Sequence, residues 1–170
     1  KFREALLAER LDTAFDLLVE QDEGVAHVLD LSVAYAGRDE RADMTALAAR
    51  AARECRLPLM VDSTQLDVVE AALKLHGGRM LINSIHFESG EEKAEALVAL
   101  ARRFGAGLVG LTIDETGMAM TADRKLEIAE RLIAFCEARG LRRGDLLLDA
   151  LTFTVCSGDG TLRDAARETI

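Results

Sequence analysis

Five short apolar runs along this 170-residue chain each end in groups that can bind a ligand or hold a proton. The first ends in Asp30 and Ser32, the second in Asp62 and Ser63, and the third in Asn83 and Ser84. The fourth ends in Asp114 and Glu115, and the fifth in Asp149. A single Asp after an apolar run commonly caps the next helix, and Asp62-Ser63 is placed to do so. Several such groups on one rim are a different matter, because neighbouring carboxylates repel each other. They call for a ligand that offers N–H donors, or for a metal ion. The metal reading is the weaker one. His86 lies three residues past Asn83, with no second His at ligand spacing. His27 falls within the first run and His76 at a helix end, where both read as structural or exposed.

The elements that would carry these groups alternate regularly. Apolar residues at helical spacing cover residues 2–22, about 39–55, 65–75, 90–104, 121–138 and 162–170. Between them lie Val25–Leu31, Leu57–Val61, Met80–Ile85, Leu108–Ile113 and the run DLLLDALTF from Asp145. Continuous apolar strands between helices predict a parallel sheet covered on its faces. About five strands and six helices fit either a doubly wound open sheet or part of a (β/α)8 barrel. In both, ligands sit at the carboxyl ends of the strands, where the acidic groups fall. A whole barrel takes about 250 residues, so on that plan about three strands lie outside this sequence. The opening Lys-Phe-Arg-Glu, without an initiator Met, likewise reads as an excerpt from a longer protein.

Composition narrows the partners. Lys plus Arg number 21 against 30 Asp plus Glu, for a formal charge of -9. Such a balance argues against nucleic acid, which is bound largely through Lys and Arg on phosphates. It also leaves no polybasic segment for an anionic membrane, and no apolar run approaches membrane-spanning length. With aromatics at 4% and no Trp, the core must be built from Leu, Val, Ile and Ala. Three cysteines (Cys55, Cys136 and Cys156) without a CxxC spacing read as free thiols in a reducing, cytoplasmic setting. Cys156 has no base in local sequence that would make it a nucleophile.

Two further features have plain readings. Gly77-Gly78 precedes a strand, so it ends a helix and does not cradle a phosphate. Gly37-Arg38-Asp39-Glu40 is either a helix start with a surface ion pair or a contact for a substrate tail. For the acidic strand ends, a flat heterocycle rich in ring N–H and amino groups fits better than a metal. A pterin offers an amide N–H beside an exocyclic amine, which one Asp carboxylate can accept as a bidentate pair. An Asn carboxamide both donates and accepts, so it can read ring nitrogens of mixed character.

At these strand ends the sequence resembles the pterin-binding methyltransferase superfamily. More narrowly, it is similar to the methyltetrahydrofolate-binding domains of cobalamin-dependent methionine synthases. The stretches that carry the resemblance are HVLDLSVAYAGRDE (27–40), PLMVDSTQLDVVEAALK (58–74), GGRMLINSI (77–85), GLTIDETGMAMTADRKLEIAERL (110–132) and DLLLDALTF (145–153). The resemblance implies a (β/α)8 TIM barrel, incomplete in this chain, with residues 1–170 forming one pterin-binding domain truncated at both ends. It implies that Asp62, Asn83 and Asp149 bind the pterin. Asp149 would accept from the ring amide and exocyclic amine, and Asn83 and Asp62 would meet the remaining nitrogens. Asp30 and Asp114 match positions near the pocket.

The implied activity is methyltransfer: 5-methyltetrahydrofolate donates its N5-methyl to cob(I)alamin carried by another domain or protein. The family residue that contacts N5 would come from a later strand, beyond Ile170. Alternatives within the superfamily are a methyltransferase acting on a corrinoid iron–sulfur protein, or a dihydropteroate synthase. The last normally carries an Arg-Pro-Gly-type loop that SVAYAGRDE lacks. A non-catalytic pterin-binding module or inactive fragment is the reading outside enzymes. Two departures from the family pattern stand out, Ser32 in place of Asn and Ala150 in place of Pro. An isolated partial barrel would leave sheet edges unpaired, so the segment alone is expected to be poorly stable or to associate.

Overall fold

The computed structural model describes residues 1–153, 162 and 164–170, and Cys156 lies outside the described residues. Among the described residues there are six α-helices: α1 (Phe2–Leu7), α2 (Leu11–Asp22), α3 (Glu40–Glu54), α4 (Leu66–Leu75), α5 (Glu91–Phe104) and α6 (Ala122–Ala138). The strands are β1 (Leu29–Ser32), β2 (Leu59–Asp62), β3 (Leu81–Ile85), β4 (Gly107–Leu111), β5 (Ile113–Asp114), β6 (Gly117–Met118) and β7 (Leu146–Asp149). β1, β2 and β3 are neighbours in that order, β4 pairs with β7, and β5 and β6 form a separate hairpin. The alternation of strand and helix, with parallel pairing, is the α/β plan that the periodicity predicts. Two compact units divide the chain: Lys1–Asn83 with Arg103–Gly107, and Ser84–Arg102 with Leu108–Ile170.

In the first unit, β1 and β2 pair in parallel from Leu29↔Leu59 to Ser32↔Asp62, and β2 pairs β3 up to Asp62↔Asn83. Leu29, Leu31, Leu59, Val61 and Ile82 are buried. The buried stripes of α3 (Met44, Leu47, Ala48) and α4 (Val68, Val69, Ala72) belong to the same core, and α3 also packs on α4. The residues between them, Asp30, Ser32, Met60, Asp62, Leu81 and Asn83, are exposed or half-buried. Strands buried on both faces were the expectation from their apolar runs. Instead one face is covered and the other open, which is the alternation that a period of two residues produces. His27 is exposed in a bend before β1, not within the strand. At the end of α4, Gly78 N donates to His76 Nδ1 over 3.0 Å, as suits a helix terminus.

The second unit is built on α5, α6 and the β4–β7 pair, which runs from Leu108↔Leu146 to Leu111↔Asp149. Phe87 and Phe135 meet edge to face at 5.3 Å, and the Arg131 guanidinium lies 3.9 Å over Phe87. Gly110 packs closely: a Cβ there would lie 3.3 Å from Leu146 and Leu148 side-chain carbons, which would have to give by a few tenths of an ångström. β7 is poorly covered, with Leu147 47% and Leu148 44% exposed.

Three differences from the expected elements have local causes. The helix predicted over 2–22 is broken at Ala8–Arg10. There Glu9 takes φ 55, its N–H bonds Leu6 O, and Arg10 N bonds Ala5 O. That is the Schellman termination, usually marked by Gly, here carried by Glu. The run Leu108–Ile113 is also not one strand: Thr112 interrupts it, and Ile113 turns back through Gly117 (φ 105) into the hairpin. Residues 164–169 form turns, not the helix that their spacing suggests.

Replacing Glu9 by Gly removes the steric cost of a left-handed side-chain residue. The Glu9→Gly variant is therefore expected to be more stable by about 0.5–1 kcal/mol, read as a higher unfolding midpoint in thermal or urea melts. An unchanged or lowered midpoint would contradict this origin of the break.

Candidate functional site

Three acidic or amide residues are brought together on the open face of the first unit. Asp62 stands opposite Asn83 in register, and Asn83 Nδ2 donates to Asp30 Oδ2 over 3.5 Å, the long limit of a hydrogen bond. The Asp30 carboxyl is raised above its ordinary range, first by loss of solvent and then by the Asp62 charge. The Asn83 contact partly offsets both. Two carboxylates and a carboxamide thus face one another with more acceptors than donors.

The capping reading of Asp62-Ser63 falls on Ser63 alone. Its hydroxyl accepts from Gln65 N over 3.1 Å at the entry to α4 and donates to Glu40. Glu40 also accepts from the Gln65 amide, so one carboxylate at the start of α3 ties down the turn after β2. Asp62 is left directed to the open face. In the sequence Glu40 reads only as part of a helix start or a substrate-tail contact; its tie to Ser63, 23 residues away, comes from the fold. The Gly37–Glu40 stretch is the helix start: Asp39 caps α3 by accepting from Ala42 N over 3.0 Å. Arg38 forms a two-point pair with Asp43 at 2.6 and 2.8 Å.

In the second unit the two remaining strand-end aspartates, Asp114 and Asp149, have different fates. Asp114, only 2% exposed, accepts from the Thr116 N–H and hydroxyl at 3.0 and 2.7 Å and from Arg124. These bonds, the Thr116 hydroxyl foremost, hold its carboxyl below the usual range against the effect of burial. Its neighbour Glu115 is lowered to about 2, first by the two-point contact with Arg131, which also reaches Glu91. Asp114 and Glu115 therefore hold the β5–β6 hairpin onto α6.

Asp149 is exposed at the end of β7. Its Oδ1 accepts from Leu151 N over 2.8 Å, an Asx turn that leaves acceptor capacity on the carboxylate. The backbone of this turn is pinned by Thr112, whose N–H reaches Asp149 O at 3.3 Å and whose hydroxyl reaches Ala150 O at 3.0 Å. Thr112 was missed in the sequence, where it reads as one more residue of an apolar run.

His86 has a buried Nδ1 without a hydrogen-bond partner, and burial lowers its basicity. Among the described residues no group of three or more His, Cys, Asp or Glu side chains is gathered as a metal ion would need. Among them, too, no helix is long and apolar enough to cross a membrane. Cys136 is buried, and its thiol is pushed up to about 11 by desolvation.

Acid should act on the hairpin. A carboxyl whose folded pKa is depressed contributes stability above its ordinary value and loses it as pH falls through the folded value. For Asp114 and Glu115 the ordinary values are 3.8 and 4.5. The unfolding midpoint is therefore expected to fall between about pH 4.5 and 2, and to fall less steeply in Asp114→Asn, which starts lower at neutral pH. Parallel pH profiles for the two proteins would show that Asp114 is not so held.

The sequence model of the family described as "Pterin binding enzyme" matches residues 1–165. Methionine synthase of Mycobacterium tuberculosis (strain ATCC 25618 / H37Rv) is 45% identical over 99% of this chain, and that of Mycobacterium leprae (strain TN) is 43% identical over the same share. The chain spans 14% of the length of each of these relatives. Among solved structures, a Yersinia pestis DHPS with pterine-sulfa conjugate Compound 16 superposes with a TM-score of 0.64 at 17% identity. That match covers 84% of this chain and 56% of that one, and it bears on the fold alone. Because that family model matches residues 1–165 of the 170, the chain belongs to the pterin-binding enzymes.

Proposed function

We propose that this domain binds 5-methyltetrahydrofolate and orients its N5-methyl group for transfer to cob(I)alamin held by another module, within methionine synthesis from homocysteine. The observation that carries the reading is the register pairing of Asp62 with Asn83 on an open sheet face, beside Asp30. Likeness to methionine synthases at 43–45% identity supports the choice of folate among pterins.

The donor and acceptor chemistry fits a reduced pterin. Crowded carboxylates are relieved by ring N–H and amino donors, and the Asn83 amide can serve a ring nitrogen of either character. In this reading Asp149 accepts from the ring amide and exocyclic amine, and Asp62 and Asn83 serve the remaining ring nitrogens. The Asx turn and the Thr112 bonds hold the Asp149 carboxylate still, so binding does not have to order it. These residues bind and orient. A tertiary amine leaves well only if its nitrogen gains a proton or a strong hydrogen bond, and none of the three is assigned that task. Cobalamin would supply the methyl acceptor, and no residue of this chain is assigned to hold it.

Calorimetric titration of 5-methyltetrahydrofolate into the full-length protein tests the reading. Asn83→Ala and Asp149→Asn are each expected to weaken binding by about 30-fold, the equivalent of roughly 2 kcal/mol for losing a buried polar or charged partner. Binding unaffected by both changes, or no binding to the unaltered protein, would mean that these strand ends serve another ligand.

A further inference from the structure

Lys125 lies on the buried stripe of α6 with Ile128, Leu132, Phe135 and Cys136 and is only 4% exposed. A buried ammonium is costly unless its hydrogen bonds are satisfied. Its Nζ donates to Leu151 O over 2.8 Å and to the Thr169 hydroxyl over 2.6 Å. Thr169 Oγ1 in turn lies 2.7 Å from the same Leu151 carbonyl. Lysine and threonine therefore close on one backbone oxygen, the second carbonyl after that of Asp149.

Leu151 is where that oxygen matters. It takes φ 55, a left-handed conformation that a side-chain residue adopts only when its surroundings impose it. In that conformation its N–H reaches back to Asp149 Oδ1. Three successive carbonyls are thus held by side chains or backbone from elsewhere in the unit: Asp149 O and Ala150 O by Thr112, and Leu151 O by Lys125.

We infer that Lys125 is a positioning residue for the pterin contact of Asp149, acting through the Leu151 peptide and not by touching the ligand. The inference rests on the folate reading above and adds to it a residue on the far side of the turn. A lysine kept only for packing would affect stability and leave the orientation of Asp149 alone.

A double-mutant cycle in the full-length protein, read by calorimetric titration of 5-methyltetrahydrofolate, separates the two roles. Lys125→Met keeps the length and apolar stem but removes the donor. It is expected to weaken binding by about tenfold, and the pair Lys125→Met/Asp149→Asn is expected to bind no worse than Asp149→Asn alone, within about twofold. Wild-type affinity in Lys125→Met, or losses that simply add in the double variant, would overturn the inference while leaving the folate reading in place. If Asp149→Asn itself binds normally, the folate assignment of Asp149 fails, and this inference with it. Should Lys125→Met not fold, Thr169→Val removes the neighbouring donor with less disturbance. A coupled loss of affinity there supports the inference, and unchanged binding overturns it.

Discussion

Register is the constraint on which the rest of the first unit depends. Parallel pairing sets Ser32 beside Asp62 and Asp62 beside Asn83, and the two-residue period of each strand then decides which side chains lie under the helices. A slip by a single residue in β2 would carry Asp62 into the apolar layer and turn Val61 out toward the open face. Leu29, Leu31, Leu59 and Val61, all buried against α3 and α4, oppose that slip through the area they remove from water. The same leucines and valine that make the core therefore aim the acids away from it.

Four strand-end aspartates end up in three conditions, and their partners account for each. Asp114 is closed off by Thr116 and Arg124 and holds a hairpin. Asp30 and Asp62 crowd one another with only a long contact from Asn83, so the Asp30 carboxyl binds its proton more firmly than usual. Asp149 is held from behind by its own turn and faces solvent in front. A guanidinium within reach turns an acid into a structural group, while its absence among the described contacts of Asp30 and Asp62 leaves them suited to a ligand's N–H donors.

Much of this could be read from the residue pattern because it is local. Apolar runs punctuated by Gly and acidic residues marked the strands of the sheet, and Asp39 was legible as a helix start. What stayed hidden depends on distant partners or on a rule used by an unusual residue. Glu9 ends α1 in a conformation for which glycine is the customary signal. The apolar character of Leu108–Ile113 conceals a change of direction at Thr112. Lys125 left a faint sign, a charged residue three before Ile128 on an otherwise apolar helical stripe. Its purpose becomes visible only when Leu151 arrives beside it, 26 residues later.

That separation has a consequence during synthesis. Asp149 leaves the ribosome before the group that completes its surroundings, since Thr169 follows Leu151 by 18 residues. Until those residues have emerged, Lys125 and the Leu151 carbonyl lack their shared hydroxyl, and the left-handed turn lacks one of its restraints. A nascent chain can thus form α6, the β4–β7 pair and the Thr112 bonds before the Leu151 carbonyl has all its partners. The order of translation makes the Leu151 carbonyl among the last parts of the unit to gain its partners.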